Sequence, residues 1–118
     1  MTLNPLYTPN APTRESLDAL TGATVLQFGV NWCGHCQSAA PFISEAFANF
    51  PDMEVLRIED GAGRPLGRSF KVKLWPTLVF LVNGQEVGRV VRPTDSNVIL
   101  LIEANFLIVL NFQRTIQR

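Results

Sequence analysis

WCGHC, residues 32–36, lies between TVLQFGV, residues 24–30, and a stretch in which Phe42, Ile43, Ala46, Phe47 and Phe50 recur at spacings of three and four. The first run is rich in β-formers and nearly continuous in apolar character, which predicts a central strand buried on both faces. The second predicts a helix over about Cys33 to Phe50, kinked at Pro41. Two cysteines three apart therefore stand where a buried strand hands over to a helix. Within about one helical turn they are close enough to form a disulfide. A helix N-terminus stabilises negative charge and favours the thiolate of Cys33. The thiolate is the attacking group in disulfide exchange and also a good leaving group. Gly34 permits a tight turn. His35, when protonated, adds a positive charge beside Cys33.

A bare C-x-x-C is also half of many zinc sites. Cys33 and Cys36 are the only cysteines, and His35 between them is the only histidine. That set leaves zinc one protein ligand short. A redox pair is the better reading, with no metal and no cofactor beyond the cysteines themselves.

Working outward, 118 residues make one domain able to bury its own core. Apolar residues at 47% and charged residues at 17% exclude the composition of a disordered chain. Ten basic and ten acidic residues cancel, which argues against a general electrostatic grip on nucleic acid or an anionic membrane. The first residues hold no basic region followed by an apolar one, so no signal peptide is expected there. The expected compartment is the cytoplasm, unless a leader was removed. The apolar stretch from Val98 to Leu110, broken by Glu103 and Asn105, is too short to span a bilayer.

Residues 1–12, with three prolines, read as an extended lead-in, 13–110 as a single domain and 111–118 as a tail. Thr13 is a candidate cap for a short helix through Leu20, stopped by Gly22. Further strands are expected over Glu54–Glu59, Thr77–Val82 and Gln85–Val91, and a short helix over Pro65–Phe70. Asn83-Gly84 is a strong signal for a type I′ hairpin turn. Early strands alternate with helices, suggesting parallel pairing, and the last two form an antiparallel hairpin.

These features, taken together, resemble the thioredoxin superfamily. The resemblance rests on Phe28, on Trp32-Cys33-Gly34-His35-Cys36, on Pro41 five residues after the second cysteine, on Trp75-Pro76-Thr77 and on Asn83-Gly84. Gly34-His35 between the cysteines looks like the dipeptide of protein disulfide isomerase domains. The resemblance implies an α/β thioredoxin fold, a central mixed sheet of four to five strands flanked by helices on both faces. It implies thiol–disulfide exchange on protein disulfides in cell redox homeostasis, with a reductase or other thiol donor as partner. Cys33 would attack and the more buried Cys36 would resolve. Trp32, Gly34 and His35 would complete and tune the motif. Pro76, in the cis form, would face the disulfide, and Trp75, Pro76 and Val91 would bind substrate. With no N–H at Pro76, the backbone of residue 75 would be free to pair with an extended substrate.

The chain departs from the family at several positions. Gln27 stands six residues before Cys33, where thioredoxins usually hold a buried acid that accepts the resolving proton. Glutamine cannot take a proton. Water, a group such as Glu59 or Arg57, or the substrate would then have to assist Cys36. Gly29 replaces a large aromatic, Gln37 replaces a basic residue, and Arg92 stands where a glycine usually lines the substrate groove.

The stretch from Val98 to Leu110 is more apolar than one stripe facing a sheet requires. It is open between a deeply buried helix, a surface for self-association or a partner, and a strand over Phe106–Phe112. The second option gives the alternative function, a thioredoxin-like module that holds a partner through this helix and uses the cysteines to sense redox state. A metal or cluster carrier across two copies of the motif is a third option, which a cis Pro76 would crowd.

Overall fold

Val25, Gln27 and Gly29 alternate with Leu26 and Phe28 along the first strand, and this alternation divides the core in two. In the computed structural model, which describes residues 6–48, 53–96 and 99, the elements are α1 (Arg14–Asp18), β1 (Ala23–Gly29), α2 (Gly34–Phe47), β2 (Glu54–Glu59), α3 (Pro65–Ser69), β3 (Thr77–Val82) and β4 (Gln85–Val91). The sheet order is β2-β1-β3-β4. On one face Ala39, Ile43 and Ala46 of α2 pack with Val25, Leu78, Phe80, Val82, Val90 and Ile99. On the other, Leu17 of α1 and Leu66 and Phe70 from the α3 region pack with Leu26, Phe28, Ile58, Val79 and Leu81. Period-two alternation in β1 and β3 thus feeds both layers, because both strands are central and fully covered.

β1 and β2 pair in parallel across α2, as the alternation of elements suggests. β3 departs from that expectation and runs antiparallel to β1, with Thr77 opposite Phe28. Glu59, the last residue of β2, pairs with Gly29, and Thr77, the first of β3, pairs with Phe28, so the chain re-enters the sheet at the end where β2 left it. β3 and β4 pair antiparallel. Asn83 and Gly84 have φ of 50° and 79°, both positive as a type I′ turn requires.

Three helix ends differ from those expected, α3 by one residue, since it closes at Ser69 with Phe70 as its cap. α1 closes at Asp18, with Ala19 as its cap, and Gly22 is not its stop. Gly22 instead meets the hairpin, where its N–H donates to Asn83 Oδ1 at 2.8 Å and its carbonyl accepts from Asn83 N at 3.0 Å. α2 ends at Phe47 rather than Phe50, and it continues through Pro41. Thr13 caps α1 as expected, its side chain accepting from Ser16 N at 3.1 Å. Thr13→Ala should cost about 1 kcal/mol of unfolding free energy in urea titration. A cost near zero would show that the cap is not stabilising.

The described part of the lead-in, residues 6–12, forms no helix and is fastened to the sheet. Thr8 N–H donates to Arg57 O and Thr8 O accepts from Glu59 N, each at 2.9 Å, which bridges the segment in parallel to β2. Tyr7 N–H donates to Asn31 Oδ1 at 2.9 Å. The expected helix or strand between Val98 and Phe112 lies outside the described residues, apart from Ile99, which is buried. Among the described residues no helix is long and apolar enough to cross a membrane.

Candidate active site

The C-terminal end of β1 delivers the chain into a tight turn at residues 31–32, and α2 starts at once. Cys33 is the N-cap of α2, and its Sγ accepts the Cys36 N–H at 3.4 Å. A sulfur in this position faces unpaired helix N–H groups and the positive end of the helix dipole. Cys36 sits one turn on, and both cysteines are free. They pack with Tyr7, Val30 and Trp75.

Both cysteines are buried residues. Cys33 is 8% exposed and Cys36 4%. The expected contrast between an accessible and a buried thiol is therefore small, and position on the helix separates the two instead. Burial pushes the Cys36 thiol up to about 11, with Cys33 adding to the rise, while the Val30 backbone and then the Tyr7 hydroxyl pull against it.

The motif residues are disposed around the pair. Gly34 and His35 are exposed in the first turn. Trp32 is 75% exposed and meets Trp75 edge-on at 5.9 Å between ring centroids. The Trp75 indole donates to Asp60 Oδ2 at 2.9 Å. The Trp75–Pro76 peptide is cis. Val91 pairs with Thr77 and is exposed at the same end of the sheet.

The backbone of residue 75 is not wholly free, as the sequence had suggested. Arg92 Nε donates to the Trp75 carbonyl at 2.9 Å, and Arg92 N–H donates to the Pro76 carbonyl at 2.9 Å. Arg92 has φ of 49°, the left-handed region that glycine occupies most easily. Its long side chain can fold back onto Trp75, which a glycine cannot do. Arg92 also lines a shallow cavity with His35, Ser38 and Phe42, which puts two basic side chains on one rim.

Behind Cys36 lies a cavity of about 330 Å³ lined by Tyr7, Gln27, Asn31, Cys36 and Arg57, among others. Of the two helpers proposed for Cys36, Arg57 faces this cavity. Glu59 does not; it pairs with Arg64 and lines a separate cavity beside Pro65. Gln27 is buried, and its Nε2 donates to the Tyr7 hydroxyl at 2.9 Å. Its Oε1 is buried and has no hydrogen-bond partner among the described residues.

Tyr7 is the site residue that sequence reasoning missed. Its signal was indirect. A Cβ on Gly29 would stand 2.7 Å from Cys36 Sγ and from Tyr7 Cζ and Oη. The glycine in place of a large aromatic leaves a volume, and the tyrosine of the lead-in fills it. Among the described residues, no group of three or more His, Cys, Asp or Glu side chains is placed to hold a metal ion.

Comparison with known proteins agrees with this geometry. Thioredoxin 2 from Pseudomonas aeruginosa PAO1, in its reduced form, superposes with a TM-score of 0.80 at 49% identity, covering 88% of this chain and 96% of that one. Thioredoxin NaTrxh from Nicotiana alata superposes with a TM-score of 0.62 at 28% identity, covering 80% of this chain and 78% of that one. An H-type thioredoxin from Fagopyrum esculentum is 33% identical over 67 residues, 57% of this chain and 58% of that protein. The chain thus spans little more than half the length of such curated plant relatives. The thioredoxin family model matches residues 10–103, a span that takes in the cysteine pair, Trp75-Pro76 and the hairpin, and the chain belongs to the thioredoxin family.

Proposed function

We propose that the chain is a thiol–disulfide oxidoreductase that exchanges protein disulfides through Cys33 and Cys36. The observation that carries this reading is the Cys33 sulfur at the start of α2, accepting the Cys36 amide. Negative charge is favoured there, so Cys33 attacks. Its thiolate bonds to one sulfur of the substrate disulfide, the substrate S–S bond breaks, and the departing thiolate takes a proton from water. Cys36 then gives up its proton and attacks the Cys33 sulfur. The mixed disulfide breaks and the second substrate sulfur leaves as a thiolate, to be protonated in turn. The substrate gains two electrons and the cysteine pair loses two.

Burial above all, and Cys33 to a smaller degree through its hydrogen bond and charge, keep the proton on Cys36 in the dithiol. A mixed disulfide removes that charge, so Cys36 becomes easier to ionise at the step that needs its thiolate. Trp75, Pro76 and Val91 form the substrate edge, and a strand-like substrate must compete with Arg92 for the Trp75 carbonyl. A reductase or other thiol donor returns the pair to the dithiol, and we place this cycle in the cytoplasm. Family membership favours this reading over a module that only holds a partner.

The test is catalytic reduction of insulin with dithiothreitol as thiol donor. Turnover is expected; a stable complex without turnover would overturn the reading. The charge of His35 should also set the poise. Disulfide isomerases and thioredoxins differ by about 90 mV, and 30 mV is about 1.4 kcal/mol for two electrons. His35→Pro should lower the potential of the pair by about 30–60 mV against a glutathione buffer. An unchanged potential would show that another group tunes the pair.

A further inference from the structure

We propose that Tyr7 is a side-chain hydrogen-bond donor that stabilises the Cys36 thiolate in the resolving step, beside the Val30 backbone. The inference rests on the exchange activity proposed above and adds a residue to it.

The geometry converges on one point. The space over Gly29 is bounded by Cys36 Sγ and by Tyr7 Cζ and Oη, each 2.7 Å from where a Cβ would stand. Gln27 Nε2 donates to the Tyr7 oxygen at 2.9 Å and so occupies its acceptor side. The phenolic proton is then free to point elsewhere, and Cys36 is the neighbour that gains most from it. A hydrogen bond to a charged acceptor is worth more than one to a neutral acceptor.

The phenol is held in place before any substrate arrives. Its ring packs with Val30, Cys33 and Cys36, its own N–H donates to Asn31 Oδ1, and Thr8 next to it pairs with β2. Burial pushes the phenol above its ordinary range. It therefore stays protonated while Cys36 titrates and acts as a donor, not as a base. The charged and titratable groups around Cys36 are Cys33 on its own element, Tyr7 from the lead-in and Arg57 from β2, which lines the same cavity.

In the step itself, the Cys36 proton passes to water in that cavity. The thiolate accepts the Tyr7 hydroxyl, bonds to Cys33 Sγ and displaces the substrate thiolate, which takes a proton from water. Tyr7 begins and ends the step as a neutral phenol. Gln27, which cannot accept a proton, orients it.

The experiment is stopped-flow Trp fluorescence on insulin reduction across pH 6–11, resolving attack by Cys33 from resolution by Cys36. Tyr7→Phe keeps the ring and removes only the hydroxyl. The ratio of resolving to attacking rate should fall about tenfold at neutral pH, and the midpoint of the resolving profile should rise by about one pH unit. Tyr7 is the only tyrosine in the chain, so biosynthetic fluorotyrosine alters this phenol alone. A more acidic phenol is a stronger donor and should move the midpoint down. This labelled protein keeps the test open if the phenylalanine variant folds poorly. A midpoint unmoved in either protein overturns the proposal and assigns the phenolic proton to Gln27 Oε1. Loss of the attacking phase in the unmodified protein would overturn the exchange activity instead.

Discussion

Cys33→Ser is expected to lower protein disulfide turnover to the background of the thiol donor, a loss of about a thousandfold or more. A serine hydroxyl at the same cap is not ionised near neutral pH, so the helix N-terminus has no thiolate to favour. Cys36→Ser should behave differently. The attacking thiol remains, the mixed disulfide forms, and nothing resolves it, so a covalent adduct with the substrate should accumulate and appear in the intact mass. Residue burial does not separate the two, since Cys33 is 8% and Cys36 4% exposed. The asymmetry comes from the cap: Cys33 Sγ accepts the Cys36 amide, while burial pushes the Cys36 thiol up to about 11. Adducts trapped by Cys33→Ser, and none by Cys36→Ser, would reverse the two roles.

The cysteine pair was legible because its placement is local. A buried strand, a three-residue spacing and a helical period all lie within residues 24–47, and each is readable without knowledge of distant contacts. The hairpin was legible for the same reason, since Asn83-Gly84 states its own backbone geometry. What was hidden is long-range. Tyr7 reaches Gln27 across twenty positions, and no periodicity in residues 1–12 marks it as a site residue. The departures at Gln27, Gly29 and Arg92 were visible as single positions, but their consequences were not. Gly29 needs a ring from elsewhere, and Arg92 spends its guanidinium on the Trp75 carbonyl. The direction of β3 was hidden because alternation of elements does not state at which end of the sheet a connection returns, and residues 60–76 bring the chain back at the end where β2 left it.

Gly29→Trp should destabilise the protein by about 3 kcal/mol or more, although it restores the kind of residue the family usually carries there. The Cβ alone would stand 2.7 Å from Cys36 Sγ, Tyr7 Cζ and Tyr7 Oη, closer than real Cβ contacts allow. An indole needs the volume the phenol now fills. Tyr7 would have to leave, and its bond from Gln27 and its N–H bond to Asn31 would go with it. Overpacking typically costs about 1–3 kcal/mol and each lost hydrogen bond adds about 1 kcal/mol. Gln27, already carrying one buried unpartnered oxygen, would be left with its amide nitrogen unpaired as well. Removing the competing ring should reverse much of this. In the double variant Tyr7→Ala with Gly29→Trp, about 1–2 kcal/mol should be recovered relative to the sum of the single changes. Urea unfolding of all four proteins measures the coupling. If Gly29→Trp stays within about 1 kcal/mol of the parent and the double variant shows no recovery, the lead-in tyrosine does not hold the volume over Gly29, and the contact between it and Cys36 loses its structural basis.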